Sequence, residues 1–285
     1  MANVKIVTDS SVQLTPEEIE KYNITVIPLS VEVDGKNYID GEDISRPELV
    51  SFLRKGIIPK TSQPSMGRFV ETFDKLGEDG SEVLAILITD ALSGTYQTAC
   101  SAAEMSSSKV TVINSKSTDR GLSFQVLAAA KDLQEGKSIE EIKEHLADIR
   151  SRTRVEVLID NLDCLVAGGR VSRLAGAITK LINLKVIVRL TEKELIVYSK
   201  GRSKKAFIKH AKNLAEEYKD NKVIDMGLSH VDTDPELIQQ VQDTILANND
   251  NKDIDVLKRL TSPIIMTHTG LNAIGVITLN EKPFE

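Results

Sequence analysis

Two hydroxyl-rich motifs carry the chain's best candidates for chemistry: Thr61-Ser62-Gln63-Pro64-Ser65 and Ser93-Gly94-Thr95-Tyr96. Each is expected at a loop-to-helix transition, where unpaired N–H groups of a first helical turn attract negative charge. Ser93 closely follows Val83-Leu84-Ala85-Ile86-Leu87-Ile88, which reads as a buried parallel strand. Hydroxyls at the carboxyl end of such a strand lie where open α/β sheets bind ligands. Neither motif contains Lys or Arg, although Lys60 stands one step before the first. The pattern suits a small anionic group held by neutral donors. The plainer alternative is a pair of ordinary Ser/Thr helix N-caps.

The elements that must position these motifs alternate in type. Strands are expected at Val4–Val7, Ile24–Ile27, Val83–Ile88 and Val110–Ile113, with a hairpin about Asp34-Gly35. Between them, Thr15-Pro16-Glu17-Glu18 and Ser45-Arg46-Pro47-Glu48 are capping boxes that open helices, the second burying Leu49, Phe52 and Leu53. Phe69, Val70, Phe73 and Leu76 recur at helical spacing, and helices are expected after Ser93, from about Leu122 to Gln134, and from Ser138 to about Arg150. Strands alternating with helices imply a mainly parallel sheet with helices on both faces, an α/β domain spanning 1–152.

From about Thr153 the pattern changes. Val155–Ile159 and Val186–Leu190 read as strands, and Leu195–Tyr198 follows a short charged turn that favours antiparallel pairing. Helix stripes at Phe207, Ala211, Leu214 and Tyr218, and at Leu237, Val241 and Ile245, flank a strand over Val223–Ser229. Strands at Ile254–Leu257 and Ala273–Leu279 close the chain. Residues 153–285 are therefore expected to form an α+β domain with a mixed or antiparallel sheet, closing a site against the first.

Bulk properties narrow the classes. At 285 residues two domains are favoured over one, and 41% hydrophobic with 27% charged residues is a globular composition. A net charge of −6 argues against a general nucleic-acid binder, although Lys200, Arg202, Lys204 and Lys205 form one local basic group and Arg150, Arg152 and Arg154 another. The N-terminus runs straight into a strand, and no stretch approaches the roughly 20 apolar residues of a membrane span. Cys100 and Cys164 are too few and too distant for a disulfide framework or metal site, and Cys100 is expected on the inner face of its helix. A cytoplasmic, reduced protein is the expectation.

Val7-Thr8-Asp9-Ser10-Ser11, Pro59–Ser65, Leu92–Tyr96, Gly168-Gly169-Arg170-Val171-Ser172, Arg202 and His268-Thr269-Gly270 occur in an order that resembles the DegV family over nearly the whole chain. The resemblance implies a bacterial fatty-acid-binding protein that presents a bound acyl chain to a separate ATP-dependent fatty acid kinase, which makes the acyl phosphate. It implies Thr61, Ser93 and His268 as carboxylate contacts, with Arg170 and Gly94 in the headgroup network. Arg202 and Arg173 are implied as kinase or phosphate contacts on the surface. The fatty acid would be the ligand, with no cofactor and no catalytic residue of the chain's own, and a transient contact with anionic membrane lipids is compatible with the basic group around Arg202. Two positions depart from the family's pattern: Leu271-Asn272 replaces its Pro-Gly, and Lys185-Val186 its Lys-Pro.

The residues alone also admit other readings. Ser93 with His268 could be a hydrolase nucleophile and base, but Ala91 stands where the first Gly of a nucleophile elbow belongs. No nucleotide-binding Gly-rich motif is present, so ATP would have to come from a partner. A lipid carrier or sensor acting without a kinase is the remaining alternative. His268, flanked by Thr267, Thr269 and Gly270, is expected in a loop before the last strand.

Overall fold

The computed structural model describes residues 3–170, 184–250 and 254–284. In chain order the first half comprises β1 (Val4–Asp9), α1 (Pro16–Tyr22), β2 (Thr25–Ile27), β3 (Ser30–Val33), β4 (Lys36–Ile39), α2 (Arg46–Arg54), β5 (Lys60–Ser62), α3 (Met66–Gly77), β6 (Glu82–Leu87), α4 (Thr95–Met105), β7 (Val110–Asn114), α5 (Asp119–Gln134) and α6 (Ile139–Ser151). The second half comprises β8 (Thr153–Ile159), α7 (Asp163–Ala167), β9 (Lys185–Leu190), β10 (Leu195–Gly201), α8 (Lys205–Glu217), β11 (Val223–His230), α9 (Pro235–Ile245), β12 (Val256–Leu260), α10 (Pro263–Thr269) and β13 (Ile274–Asn280).

The first sheet is parallel throughout, in the order β2-β1-β6-β7. Alternation along its strands sends side chains to two separate cores. Leu84 and Ile86 pack with Leu122, Val126, Ile142 and Leu146 of α5 and α6. Val83, Ala85 and Leu87 pack on the other face with Phe69 and Phe73 of α3 and with Ala99 and Ala102 of α4. Thr15, Ser45 and Ser138 each close a full capping box, satisfying first-turn N–H groups at α1, α2 and α6. Cys100 is only half-buried, because Ala99 and Ala102 take the inner face of α4.

The second sheet runs β10-β9-β8-β13-β11-β12, antiparallel except for the parallel β11–β12 pair. One face packs on α8 and α9 through Leu158, Ile187, Phe207, Leu214, Leu228 and Val241. The opposite face presents Val155, Val157, Ile159 and Val188 toward the first half of the chain. The last parallel strand begins at Val256, two residues later than its apolar pattern implies, and runs through Lys258 and Arg259 to Leu260. A three-stranded antiparallel sheet, β4-β3-β5, lies beside these layers, its hairpin turning at Asp34 and Gly35, both at positive φ.

Helix α5 joins the two main sheets. Leu122 and Val126 belong to the core of the first sheet, while Phe124, with Ile149 of α6, packs on Val155, Ile277 and Leu279 of the second. Its first residue, Asp119, is buried and accepts hydrogen bonds from Ser229 Oγ (2.5 Å) and Thr261 Oγ1 (2.5 Å) of the second half. Gln13 Nε2 donates to Leu260 O at 3.1 Å, and Arg259 donates to Leu14 O at 2.5 Å, so the junction is hydrogen-bonded as well as packed.

Candidate functional site

Ser93 is held by the end of β6. The buried Asp9 carboxylate, at the end of β1, accepts from Ile88 N at 2.7 Å and from Ser11 N at 2.9 Å. Burial raises the Asp9 pKa despite these bonds. The chain then folds into a turn in which Leu92 N and Ser93 N both donate to Thr89 O. Ser93 Oγ lies 2.8 Å from Thr95 Oγ1 and accepts from Thr95 N at 3.3 Å. Gly94 caps α4 without a side-chain bond, so of the first-turn N–H groups only that of Thr95 is covered by a neighbouring side chain, Ser93, among the described residues.

Thr61 departs from its expected loop. It lies in β5, opposite Val31 of β3, and the N-cap of the following helix is Ser65, whose side chain accepts from Arg68 N. The strand aims Thr61 Oγ1 at His268 Nε2, 2.8 Å away. His268 is likewise not in a loop. It sits in the last turn of α10, which Ser262 caps, Pro263 opens and Gly270 ends. The Asn272 that replaces the family's glycine takes a φ of 61°, a left-handed conformation asparagine tolerates, so this departure leaves the turn intact.

Burial, with Arg170 nearby, pushes the His268 pKa down to about 4, so the imidazole is neutral at pH 7. Its Nδ1 is buried without a partner among the described residues and faces Gly168, where a Cβ would come within 2.2 Å of that atom. Gly168 is what allows the ring to lie so close to the backbone. Arg170, exposed, donates from Nε to Leu92 O at 3.2 Å and from a terminal nitrogen to Gly168 O at 2.7 Å, linking this loop to the Ser93 turn.

These groups converge on a cavity of about 330 Å³ between the two main sheets. Thr61, Ser93, Gly94, Arg170 and His268 all line it. Its walls are hydrocarbon: Leu29, Leu92, Val157, Val188, Leu195 and Ile264 are among them. No Asp or Glu is among the described residues that line it. A second, polar cleft of about 640 Å³ adjoins it and shares Leu92, Ser93, Gly94, Arg170 and Leu195, adding Asp90, Lys116, Glu192 and Lys193. Lys116 Nζ is paired with both oxygens of Asp90 at 2.9 and 3.0 Å. Ser93 and Gly94 therefore border an apolar space on one side and a charged one on the other.

The structure brings Thr61, Ser93, Gly94, Arg170 and His268 together. Arg202 stands apart: it is exposed just beyond β10 and lines neither space. Arg173, with Val171 and Ser172, lies outside the described residues. The hydroxyl of Ser93 is bonded within its own turn and His268 Nε2 to Thr61, so no Ser93–His268 nucleophile–base pair is formed. The apolar walls were not singled out from sequence, although the alternation of Val155, Val157 and Ile159 in β8 was the available signal.

Residues 3–281 match the family model described as "Uncharacterised protein, DegV family". The chain belongs to the DegV family. A DegV domain-containing protein of Streptococcus pneumoniae serotype 4 is 37% identical over 278 residues, which cover 97% of this chain and 98% of that protein. Among solved DegV structures, one described as showing fatty acid binding, from Thermus thermophilus, superimposes with a TM-score of 0.87 at 26% identity, covering 98% of this chain and 99% of that one. A stearic acid-binding protein of Eubacterium ventriosum gives a TM-score of 0.83 at 28% identity, covering 99% of each chain.

Proposed function

We propose that this DegV protein binds one long-chain fatty acid in the cavity between its sheets and presents the carboxylate to a separate ATP-dependent fatty acid kinase for acyl-phosphate formation. The observation that carries the reading is the cavity itself: hydrocarbon walls that converge on hydroxyls, a neutral imidazole and an arginine. About 15 methylenes transferred from water at roughly 0.8 kcal/mol each amount to about 12 kcal/mol before ordering costs. The carboxylate loses hydration and needs replacement donors, which Thr61, Ser93 and the first-turn N–H groups of α4 supply. Relatives described as binding fatty acids support the ligand class.

Neutral donors orient a carboxylate without locking it in a bidentate arginine pair, leaving an oxygen free to react. The transfer would join a carboxylate oxygen to the γ-phosphorus of ATP and release ADP. The polar cleft beside Ser93 offers the kinase a route to that oxygen, and Arg202, outside both spaces, is positioned to contact the partner. Delipidated protein should take up palmitate or oleate at micromolar concentration, and native mass spectrometry of the purified protein should show an adduct of fatty-acid mass. Failure of both would reject the ligand. Fatty-acid binding without acyl-phosphate formation when kinase and ATP are added would leave a carrier and reject the transfer.

A further inference from the structure

The inner face of β13 carries a gap. The register sets Gly275 directly between Val157 of β8 and Ser229 of β11, and the glycine puts no side chain between theirs. A small void of about 30 Å³ lies there. Five of its lining residues, Thr118, Val155, Val157, Ile265 and Thr269, also line the large cavity, so one layer of side chains separates the two spaces. Thr61, Ser93 and His268 do not line the void, which places it behind the hydrocarbon wall and away from the headgroup groups. A Cβ at Gly275 would stand 3.1 Å from Ile277 Cδ1 and 3.4 Å from Ser229 Cβ. An alanine there would fit with a small displacement and fill the gap.

The dividing layer is not wholly apolar. Thr118 is 6% exposed, and its hydroxyl is buried without a hydrogen-bond partner among the described residues. It occupies the N-cap position of α5 but makes no capping bond, so the hydroxyl does not serve the helix. Already out of contact with either space, this hydroxyl loses nothing when hydrocarbon meets the wall.

We propose that Gly275 sets the longest acyl chain this cavity accepts. The void that Gly275 leaves lets the dividing layer yield to the terminal carbons of the chain, and a methyl group there would hold that layer in place. The proposal rests on the fatty-acid reading above. A void of this size has room for about two waters, so it governs one or two terminal carbons and not a long extension.

Dissociation constants for saturated acids from laurate to arachidate would test it. With wild-type protein, affinity should rise about fourfold per added methylene, the equivalent of about 0.8 kcal/mol, and level off once the chain meets the wall. Thr118→Val, which keeps the shape of the wall and breaks no bond, should leave the length profile unchanged. Gly275→Ala should move it shorter and leave the shortest acids unaffected. Thermal melts would establish that both variants are folded. If folded Gly275→Ala retains the wild-type length profile, or if folded Thr118→Val shifts it as far, the proposal is overturned. If wild-type protein binds no acid of any length, the fatty-acid reading itself fails and the length determinant falls with it. The two failures are distinct, since the first leaves wild-type binding intact.

Discussion

Acidification should destabilise this protein through His268. The imidazole is neutral in the fold, with its pKa pushed from 6.5 to about 4, whereas the unfolded chain protonates it near 6.5. A folded pKa below the unfolded value gives a contribution that is whole above pH 6.5 and is lost as the pH falls toward 4. At about 1.4 kcal/mol per pH unit, that interval corresponds to roughly 3 kcal/mol. Asp9, Asp40 and Asp119 act in the opposite direction, because burial raises their pKa values, Asp40 to about 6. The histidine is therefore isolated by comparing wild type with His268→Gln in urea unfolding from pH 7.5 to 4.5. The difference between their stabilities should fall by roughly 2–3 kcal/mol over this range. Saturation with palmitate should flatten that difference, since a carboxylate beside Nε2 favours the imidazolium. Parallel pH profiles for the two proteins would refute the neutral buried imidazole. An unchanged slope with palmitate would refute the carboxylate's place beside it.

Three further outcomes follow from the site. Ser93→Ala and Thr61→Val should each weaken fatty-acid binding by about 0.5–1.5 kcal/mol in titration calorimetry, and Ser93→Ala should impair acyl-phosphate formation more than binding; full activity of both in a coupled kinase assay would contradict their role. Gly168→Ala should drive a methyl group into His268 Nδ1, lowering stability by about 1–3 kcal/mol and loosening the Thr61–His268 bond, measured by thermal melt and ligand affinity. Arg202→Ala should leave fatty-acid affinity unchanged and slow acyl-phosphate production with the kinase present; loss of lipid binding would place Arg202 in the binding machinery instead.

The layered fold was legible because its local signals are strong and agree. Capping boxes at Thr15, Ser45 and Ser138, the Asp34-Gly35 turn, and short apolar runs separated by amphipathic stretches each name an element without tertiary information. What escaped is short or set by packing. The strand holding Thr61 is three residues long and exists because β3 offers it an edge to pair with. The helix holding His268 is seven residues long, and its threonines and terminal glycine resemble a loop, although Ser262-Pro263 gave a start signal. Lys258 and Arg259 obscured the extent of β12, the edge strand of its sheet among the described residues. The hydroxyl motifs marked one corner of the cavity, but its wall required the register of β8, β9 and β13, which no local pattern specifies.

Helix α5 has a consequence for how this chain can be cut. Its residues belong alternately to the cores of both sheets, and Asp119 at its start is bonded to Ser229 and Thr261. A fragment ending near residue 152 would bare Phe124 and Ile149 to water, and the complementary fragment would lose the cover over Val155, Ile277 and Leu279. Each piece would also leave buried polar groups without partners. The two sheets are thus one cooperative unit, expected to melt in a single transition. Expressed separately, each half would show the exposed apolar surface and aggregation of an incomplete fold.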